Sequence, residues 1–196
     1  MSGGATQPRA LLSWRVAAFA SLLIASGCAT VPALAPGGES LSGRLSVRVE
    51  TFGMQPARTL SAGFDLRGDA HAGALGLSSP LGNLLAQARW SPAEVVLVTP
   101  QGTRAFASLA ELTREALGES VPIEAWFDWL RGRPWPEAAS APMPASLSGA
   151  SAPAAAFGFT QLGWSVELSR FGEGQVSATR DEPAPAVTVR IRLDRP

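Results

Sequence analysis

His71 and Asp69 are the residues of this 196-residue sequence whose types and spacing come nearest to proton-transfer chemistry, an imidazole with a carboxylate two positions away to orient it. The pair lacks a nucleophile: no G-x-S-x-G elbow occurs, and Ser78 and Ser79 have no second partner in the sequence. Phe171-Gly172-Glu173-Gly174 carries two of the three glycines of a dinucleotide fingerprint, but no helical pattern follows, so it reads as a hairpin turn. A single Cys and a single His exclude an intrachain disulfide and a Cys/His zinc site, leaving only carboxylates as conceivable metal ligands. No catalytic residue, cofactor or metal site is assigned, and His71 reads as a solvated surface side chain. Binding or transport is the class that remains.

The one thiol, Cys28, stands at a telling place. Residues 1–27 have the parts of an export signal: Arg9 and Arg15, an apolar run from Val16 to Ala25, then small residues. The run is about half of what a membrane-crossing helix needs. Ala25-Ser26-Gly27-Cys28 resembles the lipobox of bacterial lipoproteins, in which the cysteine takes a diacylglyceryl group and becomes the acylated N-terminus. That resemblance makes Cys28 the lipid attachment residue. Ala29 follows where an aspartate would mark inner-membrane retention, which points to the outer membrane with the domain facing the periplasm. Residues 28–40 are rich in Pro, Gly and small side chains and read as a tether. Residues 41–196 are left for the folded domain.

The elements of that domain follow from periodicity. Leu45, Val47 and Val49 alternate with polar residues as a strand with one wet face, and Leu60, Ala62, Phe64 and Leu66 repeat the pattern. Gly68-Asp69 marks a hairpin turn; Leu75 and Leu77 lead into the next one, and Leu84, Ala86, Ala88 and Trp90 leave it as one face. Between them, Ser78-Ser79-Pro80-Leu81-Gly82-Asn83 reads as a type I turn with Pro80 second and Gly82 fourth, so Leu81 is held in water. Val95 to Val98 reads as a strand covered on both faces. Ser108 and Glu111 form a capping box for a helix stopped by Gly118, with Leu109, Leu112 and Ala116 on its apolar face. A second helix starts at Pro122 and stops at Gly132, with Ile123, Trp126, Phe127 and Leu130 in one stripe and Trp129 beside it. Residues 135–156 are dominated by Ala, Pro and Ser and read as a loop. Strands resume with Trp164, Val166 and Leu168, and close with Val187, Val189, Ile191 and Leu193. The fold class is mainly β with helices, an antiparallel α+β arrangement.

All 16 basic residues are arginine, the formal net charge is zero, and no stretch interleaves arginines with aromatics, so nucleic-acid binding has no electrostatic footprint.

Several segments together resemble the LolB family of outer-membrane lipoprotein receptors. Gly43-Arg44-Leu45-Ser46-Val47-Arg48 is similar to its first strand, and Leu75-x-Leu77-Ser78-Ser79-Pro80-Leu81-Gly82 to its signature hairpin. Leu117-Gly118 through Pro122 to Trp129-Leu130-Arg131-Gly132-Arg133-Pro134 resembles its helical segment, and Gly158-Phe159-x-Gln161-x-Gly163-Trp164-x-Val166 its late strand pair. The resemblance implies a half-open antiparallel β-barrel with helices packed on the concave side around an apolar cavity. It also implies a function: acceptance of triacylated lipoproteins from a periplasmic carrier, LolA, and their insertion into the outer membrane by a monomer without nucleotide or cofactor.

Candidates for the acyl-cavity lining are the strand residues Phe64, Leu66, Leu75, Leu77 and Trp164 and the helix residues Trp126, Phe127 and Leu130. Pro80, Leu81 and Gly82 form the candidate membrane-insertion loop. Two other classes stay open on the sequence: a lipoprotein of the same fold that binds a free lipid or other apolar ligand without transferring it, and an envelope enzyme using His71.

Overall fold

The structure, a computed structural model, describes residues 40–143 and 157–194; the export signal, Cys28 and the tether up to residue 39 lie outside the described residues. The first half of the domain is a meander of six strands: β1 (Ser40–Val49), β2 (Arg58–Gly68), β3 (Gly73–Ser78), β4 (Leu84–Trp90), β5 (Val95–Thr99) and β6 (Gly102–Phe106). Two helices follow, α1 (Leu109–Leu117) and α2 (Ile123–Trp129). Five strands complete it: β7 (Ser140–Pro142), β8 (Gly158–Gln161), β9 (Trp164–Glu167), β10 (Gln175–Arg180) and β11 (Val187–Leu193).

These make one 11-stranded sheet in the order β6-β5-β4-β3-β2-β1-β11-β10-β9-β8-β7. The chain therefore walks outward from the centre to the β6 edge, crosses through both helices to the β7 edge, and walks back in. β1 and β11 meet antiparallel in the middle, with Val47 opposite Val189. The two edges stay unjoined, so the sheet is a half-open barrel, and the helices that connect them pack on its inner face: Leu109, Leu112, Trp126 and Phe127 share one core cluster with Leu45, Val47, Phe64 and Val189.

The helices start and stop where local chemistry dictates. Ser108 Oγ accepts the Glu111 N–H at 3.1 Å, and Glu111 Oε2 accepts the Ala107 N–H at 2.7 Å, so two free donors of the first turn are satisfied. Gly118 ends α1 at φ +91°, where its N–H reaches the Arg114 carbonyl. Every residue of α2 except Glu124 is buried, as expected of a helix with apolar side chains nearly all round.

Several elements differ from the sequence expectation. β6 completes a hairpin with β5 that periodicity does not announce, because four of its five residues are exposed. Leu84 does not share a face with Ala86: Leu77 pairs with Ala86 but Ser78 with Leu84, so Leu85 is a bulged residue and the alternation slips there. Phe171–Glu173 is a single 3-10 turn linking β9 to β10. The Ala/Pro-rich segment is ordered at its start, since Ser140–Pro142 pairs with β8. Gln161, 2% exposed, explains this. Its Oε1 accepts the Trp129 indole N–H at 2.8 Å and the Trp135 N–H at 2.9 Å, and its Nε2 donates to the Trp135 and Ala138 carbonyls at 2.7 and 2.8 Å. One amide thus makes all four of its bonds and anchors residues 135–138 to the core.

Candidate functional site: an apolar cavity and an exposed hairpin tip

Beneath α1 the sheet and helix do not fill the space between them. A cavity of about 470 Å³ remains, walled by Leu45, Val47 and Val49 of β1, Leu75 and Leu77 of β3, and Ala86 and Ala88 of β4. Its roof is Leu112, Thr113 and Ala116 of α1, with Ile123 and Trp126 of α2 at the inner end. Thr113, the one buried hydroxyl on this wall, is already committed: Oγ1 donates to the Ala110 carbonyl at 3.3 Å and accepts the Val121 N–H at 3.0 Å. With its polar atoms spoken for, the wall offers a ligand mostly aliphatic surface. Such a volume lies in the small-ligand range of roughly 300–1,000 Å³.

The cavity opens on one side. Arg58, Thr59, Ala116 and Leu85 line it and are exposed, Leu85 at 39%. The bulge at Leu85 matters here, since it turns that leucine to the cavity beside Ala86 and leaves Leu84 in water at 50% exposure.

Of the eight lining candidates, Leu75, Leu77 and Trp126 are at the cavity wall. Phe64, Leu66, Phe127, Leu130 and Trp164 are not: they are buried within the solid core. Phe127 packs edge-on against Trp90 at 6.1 Å between ring centroids, and Trp164 lies 6.3 Å from Trp129 and beneath the Arg180 guanidinium at 5.5 Å. Arg180 in turn pairs with Glu119 at 2.6 Å. Inward-facing strand residues follow one period whether another side chain covers them or not, so alternation does not separate filled core from open cavity. Most of the wall lies outside those eight candidates: Leu45, Val47, Leu112 and Ile123 stand on faces that periodicity marks, whereas Leu85 and Thr113 carry no such signal, since a bulge leaves no period and Thr113 sits one position after the leucine of the helix stripe.

The turn between β3 and β4 has the anticipated form. The Gly82 N–H donates to the Ser79 carbonyl at 2.9 Å, Ser79 Oγ accepts the Asn83 N–H at 3.2 Å, and Gly82 has φ +83°. Pro80 and Leu81 are its central residues, and Leu81 is 88% exposed. No hydrogen bond or core contact draws that side chain inward.

His71 takes no part in such a site. Its Nε2 lies 3.1 Å from Glu137 on the surface, and Asp69 Oδ1 accepts the His71 and Ala72 N–H groups instead of the imidazole, which holds the Asp69 carboxyl below its usual range, the Ala72 bond being the larger cause. Among the described residues no three His, Cys, Asp or Glu side chains group as metal ligands would, and no helix is long and apolar enough to cross a membrane.

Comparison with known proteins bears on what such a cavity serves. The family model described as outer membrane lipoprotein LolB matches residues 40–194, which is the whole described domain. The outer-membrane lipoprotein LolB of Bordetella petrii is 34% identical over 192 residues, covering 93% of this chain and 92% of that protein. The protein of the same name from Bordetella pertussis is 34% identical over 200 residues, covering 96% and 97%. That of Thiobacillus denitrificans is 32% identical over 170 residues, covering 81% and 84%.

Proposed function

The chain belongs to the LolB family, and from that premise we propose how its own residues receive a lipoprotein and release it into the outer membrane. The protein is an outer-membrane lipoprotein that serves lipoprotein localisation as a receptor and insertion factor, and lipoproteins are its cargo. Its donor is a LolA-like periplasmic carrier, its cargo triacylated, and its own anchor the acyl group on Cys28.

The observation that carries the reading is the open apolar cavity under α1. Acyl chains are the ligands its aliphatic wall fits, and its size argues for partial cover. Burying a methylene is worth ~0.8 kcal/mol. Three fully buried chains would pass the ceiling of about −18 to −21 kcal/mol for non-covalent affinity and could not be released. A cavity of about 470 Å³ holds part of the lipid and leaves the remainder to be covered by the carrier or the bilayer. Transfer then runs downhill as apolar surface passes from one partner to the next, with no nucleotide required.

Release needs contact with the bilayer, and Pro80, Leu81 and Gly82 supply it. Inserting Leu81 gains about 1.5–3 kcal/mol, too little to anchor a protein and enough to bias an anchored one. In a transfer assay from loaded carrier to liposomes, Leu81→Glu is expected to leave the fold and the acceptance of cargo unchanged and to slow delivery by about ten- to a hundredfold. Delivery at the wild-type rate would remove Leu81 from the mechanism.

A further inference from the structure

A second apolar tip stands at the same end of the sheet as Leu81. After β1 the chain reverses through Phe52-Gly53-Met54-Gln55, closed by two reciprocal bonds: the Phe52 N–H donates to the Gln55 carbonyl at 3.2 Å and the Gln55 N–H to the Phe52 carbonyl at 3.0 Å. Gly53, the first central residue, has φ +57°, the position at which type II′ hairpin turns take glycine. A turn closed on both sides holds its tip outward. Met54 is fully exposed at 101% and Phe52 is 54% exposed. From Thr51 to Ala57 the chain carries no charge.

The tip's place gives it meaning. Successive strands run in opposite directions, so the β1–β2 and β3–β4 turns leave the sheet at the same end. Arg58 and Thr59, which follow the first turn, and Leu85, which follows the second, are exposed residues of the cavity wall. The mouth is thus flanked by both turns.

We propose that Phe52 and Met54 form a second membrane-contacting tip, so that the receptor sets its cavity mouth against the bilayer through two apolar contacts. The inference rests on the reading of Leu81 as a membrane tip. The occupant is lipid for two reasons. The protein is an outer-membrane lipoprotein, so the bilayer is present at high effective concentration. And an uncharged turn carrying Phe and Met has the composition that settles at the boundary between head groups and chains. One contact leaves the domain free to roll about it; two fix the direction in which the mouth points.

The test uses the full acylated chain in phospholipid vesicles whose acyl chains carry bromine as a quencher. An environment-sensitive dye is attached through Met54→Cys, through Leu81→Cys, and through Ala93→Cys at the opposite end of the sheet, with the parent chain, whose Cys28 sulfur is taken up by its lipid, as the unlabelled control. Dye at 54 is expected to lose fluorescence to the brominated chains about as strongly as dye at 81, while dye at 93 keeps its signal. Quenching at 81 with none at 54 overturns the second tip and leaves Leu81 in place; no quenching at either overturns the membrane reading of both. Met54→Glu is further expected to slow delivery to vesicles without changing uptake from loaded carrier. Slower uptake with normal delivery would show a protein-docking tip and end the proposal.

Discussion

The concave face of this sheet covers two regions built from the same alternating strands, yet one is filled and the other open. Under α2, Phe127 packs on Trp90 and Trp129 on Phe159 and Trp164, and the space is closed by aromatic rings at 6.1 to 6.3 Å. Under α1, Leu112, Thr113 and Ala116 face Leu75, Leu77 and Ala88 across about 470 Å³ of empty volume. The strands supply rings to the first, Trp90, Phe159 and Trp164, and mainly aliphatic side chains to the second. What differs is the volume that helix and strands together bring, so stability resides in the half with the large side chains and ligand capacity in the half with the small ones.

The largest expected effect breaks the filled half. Trp129 is 2% exposed, touches Phe159 and Trp164, and donates its indole N–H to Gln161. Trp129→Ala is expected to lower unfolding free energy by about 3–5 kcal/mol, since the cavity it leaves cannot collapse among rings fixed on two elements. Urea denaturation measures this, and a loss below about 1 kcal/mol would mean that the aromatic half is not where the stability lies.

The converse change sharpens the comparison in the open half. Ala116 sits at the cavity wall and is exposed, so Ala116→Trp has room for its indole. Stability is expected to change by less than about 1 kcal/mol. Displacing even two methylenes of bound acyl chain weakens binding on the order of tenfold. Titration with a fluorescent acyl probe reads it. Unchanged probe affinity would place the ligand elsewhere.

The smallest effect lies at the junction of the halves, where Glu124 opens α2. Burial raises its carboxyl above the usual range, and a bond from its own N–H opposes the shift in part. A carboxyl that holds its proton more tightly when folded destabilises the fold wherever it is ionised. The penalty is complete above the raised value and gone below the ordinary carboxylate range. Glu124→Gln should therefore raise the thermal midpoint slightly at neutral pH, and the gain should vanish on acidification across that window. A gain that persists at acid pH would point to a cause other than the charge.

Much of this was legible in the residues. The strands around Leu45 to Val49 and Leu60 to Leu66, the Ser108/Glu111 cap and the Leu81 turn each rest on a local rule, and local rules carry over into the fold. The family resemblance and the half-open barrel it implied stand as well. The division between core and cavity was hidden, because Phe64 and Leu66 keep the same period as Leu75 and Leu77 and only tertiary packing decides which are covered. The Leu85 bulge was hidden for a related reason: it appears only when two strands are paired. The order in residues 135–138 came from Gln161, a partner more than twenty positions away that composition does not reveal.

That amide, with the pairing beside it, has a use for anyone who wishes to handle this protein. The Met143 N–H donates to the Gly158 carbonyl at 3.2 Å, so the two ends of the Ala/Pro-rich connection are tied to each other. Lengthening a connection whose ends are already tied adds only about 0.6 kcal/mol for each doubling. An affinity handle or a fluorescent module inserted into the Ala/Pro-rich connection is thus expected to cost the fold little.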